Sequence, residues 1–424
     1  MSKMTKGHSA RNNLTEWLSY LESIHSVEIE LGLTRINAVA NKLNIVFPTS
    51  TIITVAGTNG KGTTCAFLEN AFLAQNLTCA VYSSPHIERF NERLRLNKVE
   101  VNDASLVNAF ETIEQTRDDI SLTYYEYTTL AALLILTAAQ PDVIILEVGL
   151  GGRLDATNIV DADIAVITTI DLDHQAYLGD TREAIGFEKA GIMRADKQAV
   201  IGDKTPPATI VEHAKCIGAK PFFRDENFII EQTSNKQWLW RSGNTNFSGL
   251  TNCYIPQDNV ATAIMVLNLL ADKLDLSLNS AFINQVIAET KVAGRMEKFS
   301  LDCDVILDVG HNPQAARYLA EQLEQLNYPK VHAVLGMLGD KDATNTIAPL
   351  LPTVSHWYIG TLEVPRGRKA KNILESTQID TAKVNCFDNV SQAFRMAKHN
   401  AKATDLILVF GSFFTVAEIR RLLV

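Results

Sequence analysis

The sequence predicts a two-domain α/β protein built on parallel sheets, and three observations carry that expectation. Apolar, β-branched runs alternate with helical patterns along most of the 424 residues, as when strands wind parallel with helices between them. A glycine-rich turn in TIITVAGTNGKGTT, Thr51 to Thr64, joins one such run to a helix. A second strand and helix series opens at Val305, and a chain this long exceeds what one core usually organises. The expected units are residues 1–296 and a smaller 297–424, with a hinge near Ala293 to Glu297.

Composition narrows the possibilities. With 46% hydrophobic and 21% charged residues the chain has a globular balance, which excludes a disordered or fibrous protein. A formal charge of −9 argues against a general nucleic-acid binder but allows a local basic pocket for a small anion. Cys65, Cys79, Cys216, Cys253, Cys303 and Cys386 show no paired spacing, so they read as reduced thiols. No signal peptide is evident at the N-terminus. The most apolar region, Leu130 to Leu150, is broken by Gln140, Pro141, Asp142 and Glu147, which would be costly in a bilayer. A cytoplasmic protein with no membrane partner is expected.

Taken in order, Asn13 with Glu16 marks a helix start, followed by Leu14, Trp17, Leu18 and Leu21 at helical spacing. Thr34 to Leu43 repeats that pattern. Ile52 to Val55 reads as a buried strand, Thr63 to Ala74 as a helix, and Cys79 to Ser83 as a short strand stopped by Pro85. Helices are expected over Ser105 to Gln115 and Thr128 to Ala139, and buried strands over Val143 to Val148 and Ile164 to Ile170. Pro221 to Leu250, with Trp238 and Trp240 alternating before a turn at Gly243, reads as a small antiparallel addition. Helices follow over Asn259 to Asp272 and Asn279 to Thr290. The second unit supplies strands near Val305 to Val309, His332 to Gly336, Ser355 to Ile359, Lys383 to Phe387 and Leu406 to Phe410.

Chemistry gathers at the carboxyl ends of these strands, where open parallel sheets collect ligands. Gly57, Gly60 and Gly62 crowd into a turn whose backbone N–H groups and following helix N-terminus suit phosphates. Lys61 adds an ammonium, and Thr63 or Thr64 a hydroxyl. The turn departs from G-x-x-x-x-G-K-[ST]: Val55 stands at the first glycine and Gly62 separates Lys61 from the threonines. Glu147 ends an apolar strand, where a carboxylate needs a partner, either Mg²⁺ beside phosphates or the following glycine turn. Ser84 and His174 end two further strands; singly each also reads as scaffold. Asp308 and His311 repeat the placement in the second unit, which suits a reaction assembled by domain closure.

Several motifs together resemble the Mur ligase superfamily, most nearly its bacterial bifunctional dihydrofolate synthase/folylpolyglutamate synthases. They are GTNGKGTT from Gly57, YSSPH from Tyr82, LEVGLGGRLDATN from Leu146, DLDH from Asp171, EKAGI from Glu188, AGR from Ala293 and DVGHNP from Asp308. The resemblance implies a P-loop NTPase-like ATPase domain followed by a Rossmann-like glutamate-ligase domain. It implies ATP held by Gly57, Thr58, Asn59, Gly60, Lys61, Gly62, Thr63, Asn259, Arg295 and Asp308, with His311 near the phosphates. Mg²⁺ would sit on Ser84, Glu147 and His174. Lys189 would be carbamylated, although without the resemblance it reads as a helix-surface charge. Thr123, Tyr124, Tyr125 and Glu126, with Leu154, Asp155 and Ala156, would line the pterin side.

The implied reaction joins L-glutamate to dihydropteroate or to the γ-carboxylate of reduced folates, and a monomer is expected. Two positions depart from the family pattern: Ala176 stands where an acidic residue is usual, and Gly310 where alanine is commoner. The rival readings are a cell-wall ligase acting on a UDP-muramoyl peptide and a P-loop switch that binds nucleotide and a protein partner.

Overall fold

The computed structural model describes residues 11–27, 29–233 and 237–424. Eight strands form its largest sheet: β1 (Thr51–Ala56), β2 (Cys79–Tyr82), β3 (Leu94–Leu96), β4 (Val99–Glu100), β5 (Val143–Glu147), β6 (Ile164–Ile167), β7 (Gln198–Ile201) and β8 (Lys220–Phe223). Their order is β4-β3-β2-β5-β1-β6-β7-β8. The pairings from β2 to β8 are parallel, and the β3–β4 hairpin adds an antiparallel edge. β1 lies between β5 and β6, with Val55 opposite Glu147 and Ala56 opposite Ile167. That register sets the glycine turn beside Glu147.

Every residue of β1, β5 and β6 is buried, because helices cover both faces; hence their sequences are continuous apolar runs. On one face Phe67, Leu68 and Phe72 of the helix Lys61–Ala74 pack with Val260, Ile264 and Leu267 of Gln257–Leu270. On the other, Phe110, Tyr127, Leu130 and Leu133 cover Ile144 and Leu146. A three-stranded sheet of β9 (Ile229–Gln232), β10 (Trp238–Ser242) and β11 (Thr245–Leu250) closes the first face. Its Trp240 Nε1 donates to the Ala261 carbonyl at 3.1 Å.

The second unit is a six-stranded sheet of β12 (Glu297–Ser300), β13 (Asp304–Asp308), β14 (Val331–Leu335), β15 (His356–Gly360), β16 (Val384–Phe387) and β17 (Leu406–Phe410), ordered β12-β13-β17-β14-β15-β16. All pairings are parallel except β12 with β13. The α/β class and the five strands expected from Val305 onward are as the sequence indicates.

Several elements differ from expectation. Lys220–Phe223 leaves the antiparallel addition and joins β7 as a parallel edge strand, a place that tolerates Pro221. The helix expected from Thr128 begins at Tyr124, because Thr123 and Glu126 close a reciprocal capping box there. β7 and the β3–β4 hairpin are too short to stand out as periodic segments.

Candidate active site

β1 delivers the chain into the glycine turn, which the loop after β6 pins. Thr58 N–H donates to the Thr169 carbonyl at 2.7 Å, and the Thr58 hydroxyl meets the backbone of Asp171 at 3.0 Å. Two glycines are demanded by close approach. A Cβ at Gly57 would lie 1.8 Å from Thr168 Oγ1, and one at Gly60 would lie 2.5 Å from Asn259 Oδ1. Asn259 Nδ2 donates to Thr63 Oγ1 at 2.9 Å, so the helix that packs beside the turn also ties it down. Lys61 folds back, donating to the carbonyls of Gly57 and Thr58 at 2.9 and 3.4 Å.

One cleft gathers most of the expected groups. Gly57 to Gly62, Ser84, Glu147, His174, Lys189, Arg295 and His311 all line it, together with Gly149 to Gly151, Asp173 and Phe413. Glu147 is buried; that burial raises its pKa, opposed chiefly by Lys61 and Arg295. A Cβ on Gly62 would stand 3.7 and 3.8 Å from its two oxygens, so the carboxylate faces the turn. Part of His174 is open to solvent. Desolvation of its ring, aided by Lys341, His311 and Lys61 against the pull of Asp173, lowers its pKa to about 4, which leaves the neutral imidazole that ligates metals.

These groups fit Mg²⁺. A hydroxyl, a buried carboxylate and an imidazole beside a phosphate turn supply a partial shell, and Mg²⁺ commonly keeps waters and phosphates for the rest. Among the described residues no cluster of three His, Cys, Asp or Glu could form a full protein cage.

Lys189 overturns its reading as a surface charge, since it is 3% exposed. Burial, then the nearby Lys61, lowers its pKa to about 7. Glycine makes this burial possible. The Arg153 N–H donates to the Glu188 carbonyl at 2.7 Å, and a Cβ on Gly152 would come within 2.8 Å of that oxygen. The GLGGR loop therefore lies directly on the helix Arg182–Ala190.

The remaining candidates stand behind the cleft wall. Asp155 is buried and accepts from Gly149 and Leu150 N–H at 3.1 and 2.9 Å and from Thr157 N–H and hydroxyl at 3.0 and 2.7 Å, which ties together the loop from Gly149 to Thr157. Thr123 and Glu126 cap their helix, with Arg35 3.2 Å from Glu126 Oε1. The Tyr125 ring packs against Gly149 and stacks on Tyr82 at 6.3 Å, while Tyr124 meets the edge of Phe90. Asp308 accepts Met296 N–H at 2.9 Å and Gly310 N–H at 2.7 Å, so its carboxylate braces the backbone on both sides of β13. The glycine that replaces the commoner alanine has a local reason: a Cβ on Gly310 would sit 2.9 Å from Asp308 Oδ1.

With this geometry in place, the comparisons assign the family. The Mur ligase middle domain matches residues 55–223, and the Mur ligase glutamate ligase domain matches residues 294–413. The dihydrofolate synthase/folylpolyglutamate synthase of Escherichia coli K12 is 46% identical over 411 residues, covering 97% of this chain and 95% of that protein. The chain belongs to the dihydrofolate synthase/folylpolyglutamate synthase family of Mur ligases. Among solved family members, E. coli FolC in complex with DHPP and ADP superposes with a TM-score of 0.92 at 44% identity, over 97% of each chain. A bifunctional folylpolyglutamate synthase/dihydrofolate synthase with Mn, AMPPNP and L-glutamate bound gives 0.90 at 45% identity, over 97% of this chain and 98% of that one.

Sequence reasoning had no role for Lys341, which stands 2.7 Å from Asp173, or for Phe413, over which the Arg295 guanidinium lies at 5.5 Å. Neither carries a local motif. Only the aromatic pair following β17 could have drawn notice to Phe413.

Proposed function

We propose that this chain is an ATP-dependent amide-forming ligase that adds L-glutamate to dihydropteroate and to the γ-carboxylate of reduced folates. The single observation that carries this reading is the shared cleft. Phosphate-binding glycines, the buried Glu147 and the second unit's His311 line one space in a chain closely similar to such synthases.

The chemistry follows from a carboxylate being a poor electrophile. It takes the γ-phosphoryl group of ATP, breaking the phosphoanhydride bond and leaving ADP. The amine of glutamate then attacks the acyl carbon, the C–N bond forms, and phosphate departs with loss of the amine's proton. The chain's part is positioning and charge stabilisation. The turn from Gly57 to Thr63 cradles phosphates, and Lys61 offers the ammonium now resting on backbone carbonyls. Asn259 keeps the turn in shape, Arg295 supplies a cation at the hinge, and Asp308 holds the hinge backbone. His311 stands where the two units meet.

Ser84, Glu147 and His174 would hold Mg²⁺, which when bound neutralises phosphate charge. Lys189 is assigned as a carbamate: its neutral amine adds to CO₂ with release of a proton, replacing a cation by an anionic oxygen facing the metal side of the cleft. Thr123 to Glu126 and Leu154 to Ala156 are assigned to the pterin side.

Residues 1–296 form the ATP-binding unit in this reading and 297–424 the glutamate-ligase unit. A cytoplasmic monomer is proposed; among the described residues no helix is long and apolar enough to cross a membrane. The test is an ADP-release assay with ATP, Mg²⁺ and glutamate, offered dihydropteroate, tetrahydrofolate or a UDP-muramoyl peptide. ADP release should require glutamate together with a pterin acid. Turnover on the muramoyl peptide instead would overturn the substrate, and release needing neither glutamate nor an acid would overturn the ligase.

A further inference from the structure

Asp173 has no part in the reaction above, but its carboxylate collects groups from the facing unit. Lys341 Nζ lies 2.7 Å from Oδ1, Asn312 Nδ2 donates to Oδ2 at 3.3 Å, and His311 Nε2 stands 3.8 Å from Oδ2. On its own loop, Oδ1 also accepts the His174 N–H at 2.9 Å, at a residue with φ of +51°. One carboxylate therefore fixes the left-handed turn that presents His174 and receives the cation and imidazole of the other unit.

Exposure separates this contact from its neighbours. The side chains of Lys341 and Asp173 are 9% and 13% exposed, so their pairing is little screened, and removing one partner would leave a mostly buried charge. Arg317 also reaches across to Asp171 at 3.0 Å, but it is 55% exposed, and such surface pairs contribute little. Lys341 is not on a loose arm. The turn after β14 that carries it is stitched to the next loop by Gly339 N–H to the Arg366 carbonyl at 2.7 Å and Arg368 N–H to the Met337 carbonyl at 3.0 Å.

Resting on the ligase reading, we propose that Asp173 and Lys341 are positioning residues for ligation. Their buried pair fastens the second unit over the cleft and sets His174 and His311 about one carboxylate, so that both imidazoles take their places together. Neither residue touches the reacting atoms in this role.

The test compares wild type with Lys341→Met, Lys341→Arg, Asp173→Asn and the Met/Asn double variant. Amide formation is measured at saturating ATP and Mg²⁺ with glutamate varied, ADP affinity is measured directly, and compactness is measured by small-angle scattering. Each single loss should lower kcat by about a hundredfold, as small misplacements of reacting groups do. ADP affinity should stay near wild type, which also certifies folding. The double variant should be no slower than the slower single one, Lys341→Arg should regain most of the rate, and Lys341→Met should scatter as a more open particle. Wild-type kcat in the single variants, losses that multiply in the double, or unchanged scattering would overturn the clasp. A wild-type chain that makes no amide from any pterin acid would overturn the ligase reading instead, and the scattering comparison would still decide the clasp.

Discussion

Asn259 lies across the glycine turn: its Nδ2 donates to Thr63 Oγ1 at 2.9 Å, and its Oδ1 stands 2.5 Å from where a Cβ on Gly60 would be. The amide fills the place of the missing side chain. Gly60 also has φ of +90°, a conformation that costs other residues roughly 1–2 kcal/mol. Gly60→Ala should therefore weaken ADP binding by about tenfold or more, the equivalent of that strain, as read by calorimetry. Wild-type affinity would mean that Asn259 yields freely and does not shape the turn.

Lys61 donates to carbonyls of its own loop at 2.9 and 3.4 Å, within the cleft that Glu147 also lines. Lys61→Met keeps the length of the side chain and removes the charge. Turnover should fall by about a hundredfold, since one charge-stabilising group in such a site is typically worth about 3 kcal/mol. Near-normal rates at saturating ATP would remove Lys61 from the reaction.

Lys189 has a pKa lowered to about 7 by burial and by Lys61. Only its neutral form adds to CO₂, and that fraction shrinks as pH falls through the lowered pKa. Bicarbonate reactivation of decarbamylated enzyme should therefore be fast above pH 7 and slow markedly below it. Lys189→Ala should lose most activity and recover part of it when a short carboxylate is added. An unmodified amine at Lys189 in a well-resolved Mg²⁺-nucleotide structure of the active enzyme would refute the carbamate.

Glu114 gives a test of stability away from the cleft. It accepts the hydroxyls of Tyr20 and Tyr127 at 2.8 and 2.9 Å and both Nε and a terminal nitrogen of Arg117 at 2.8 Å. Burial alone would raise its pKa, but these donors outweigh it and hold the group at about 2, below its ordinary 4.5. A depressed carboxylate contributes stability that is full above the unfolded value and is lost as pH falls toward the folded one. Wild type should lose stability between about pH 4.5 and pH 2 from this source. Glu114→Gln should be less stable at pH 7, and its deficit should shrink over that acid range in denaturant titrations. A deficit independent of pH would assign the cost to packing.

The legible parts of the molecule are those with a local cause. TIITV followed by three glycines around Lys61 announces strand, turn and helix, because two of those glycines, Gly57 and Gly60, answer contacts directly behind the turn. The second sheet was readable for the same reason, as five apolar runs separated by helices. Lys189 was not, because its burial comes from Gly151 and Gly152 letting a loop 35 residues away in sequence settle on its helix. Lys341 sits in a polar turn with nothing periodic about it, and its significance lies wholly in Asp173, 168 residues distant. The stretch opening at Pro221 misled in another way: its short run merges with the Trp238 and Trp240 hairpin in the sequence, but Lys220–Phe223 pairs with β7 as an edge strand.

Asp308 supports the last prediction, because both of its oxygens are taken by backbone. Oδ2 accepts from Met296 N–H at 2.9 Å and Oδ1 from Gly310 N–H at 2.7 Å. Met296 has φ of +46° and Gly294 of +63°, so the connection into β12 holds two left-handed residues, of which Asp308 fixes Met296 and Glu297 accepts the Gly294 N–H at 2.8 Å. Burial raises the pKa of this group, with Arg295 opposing. Asp308→Asn retains one acceptor and presents an N–H to one of the two donors, which should cost about 1–3 kcal/mol in stability for the unmade bond. The consequence for function should be larger than that figure suggests, because the Met296 backbone adjoins Arg295, a residue of the cleft, and a shift there displaces the second unit as a whole. Amide formation should fall by about a hundredfold, at a temperature well below the variant's own melting point. ADP affinity should fall less than turnover, since the glycine turn belongs to the other sheet. Equal losses in ADP affinity and in turnover would show instead that Asp308 acts chiefly on the nucleotide. A normal rate would show that the backbone around Met296 keeps its shape without the carboxylate.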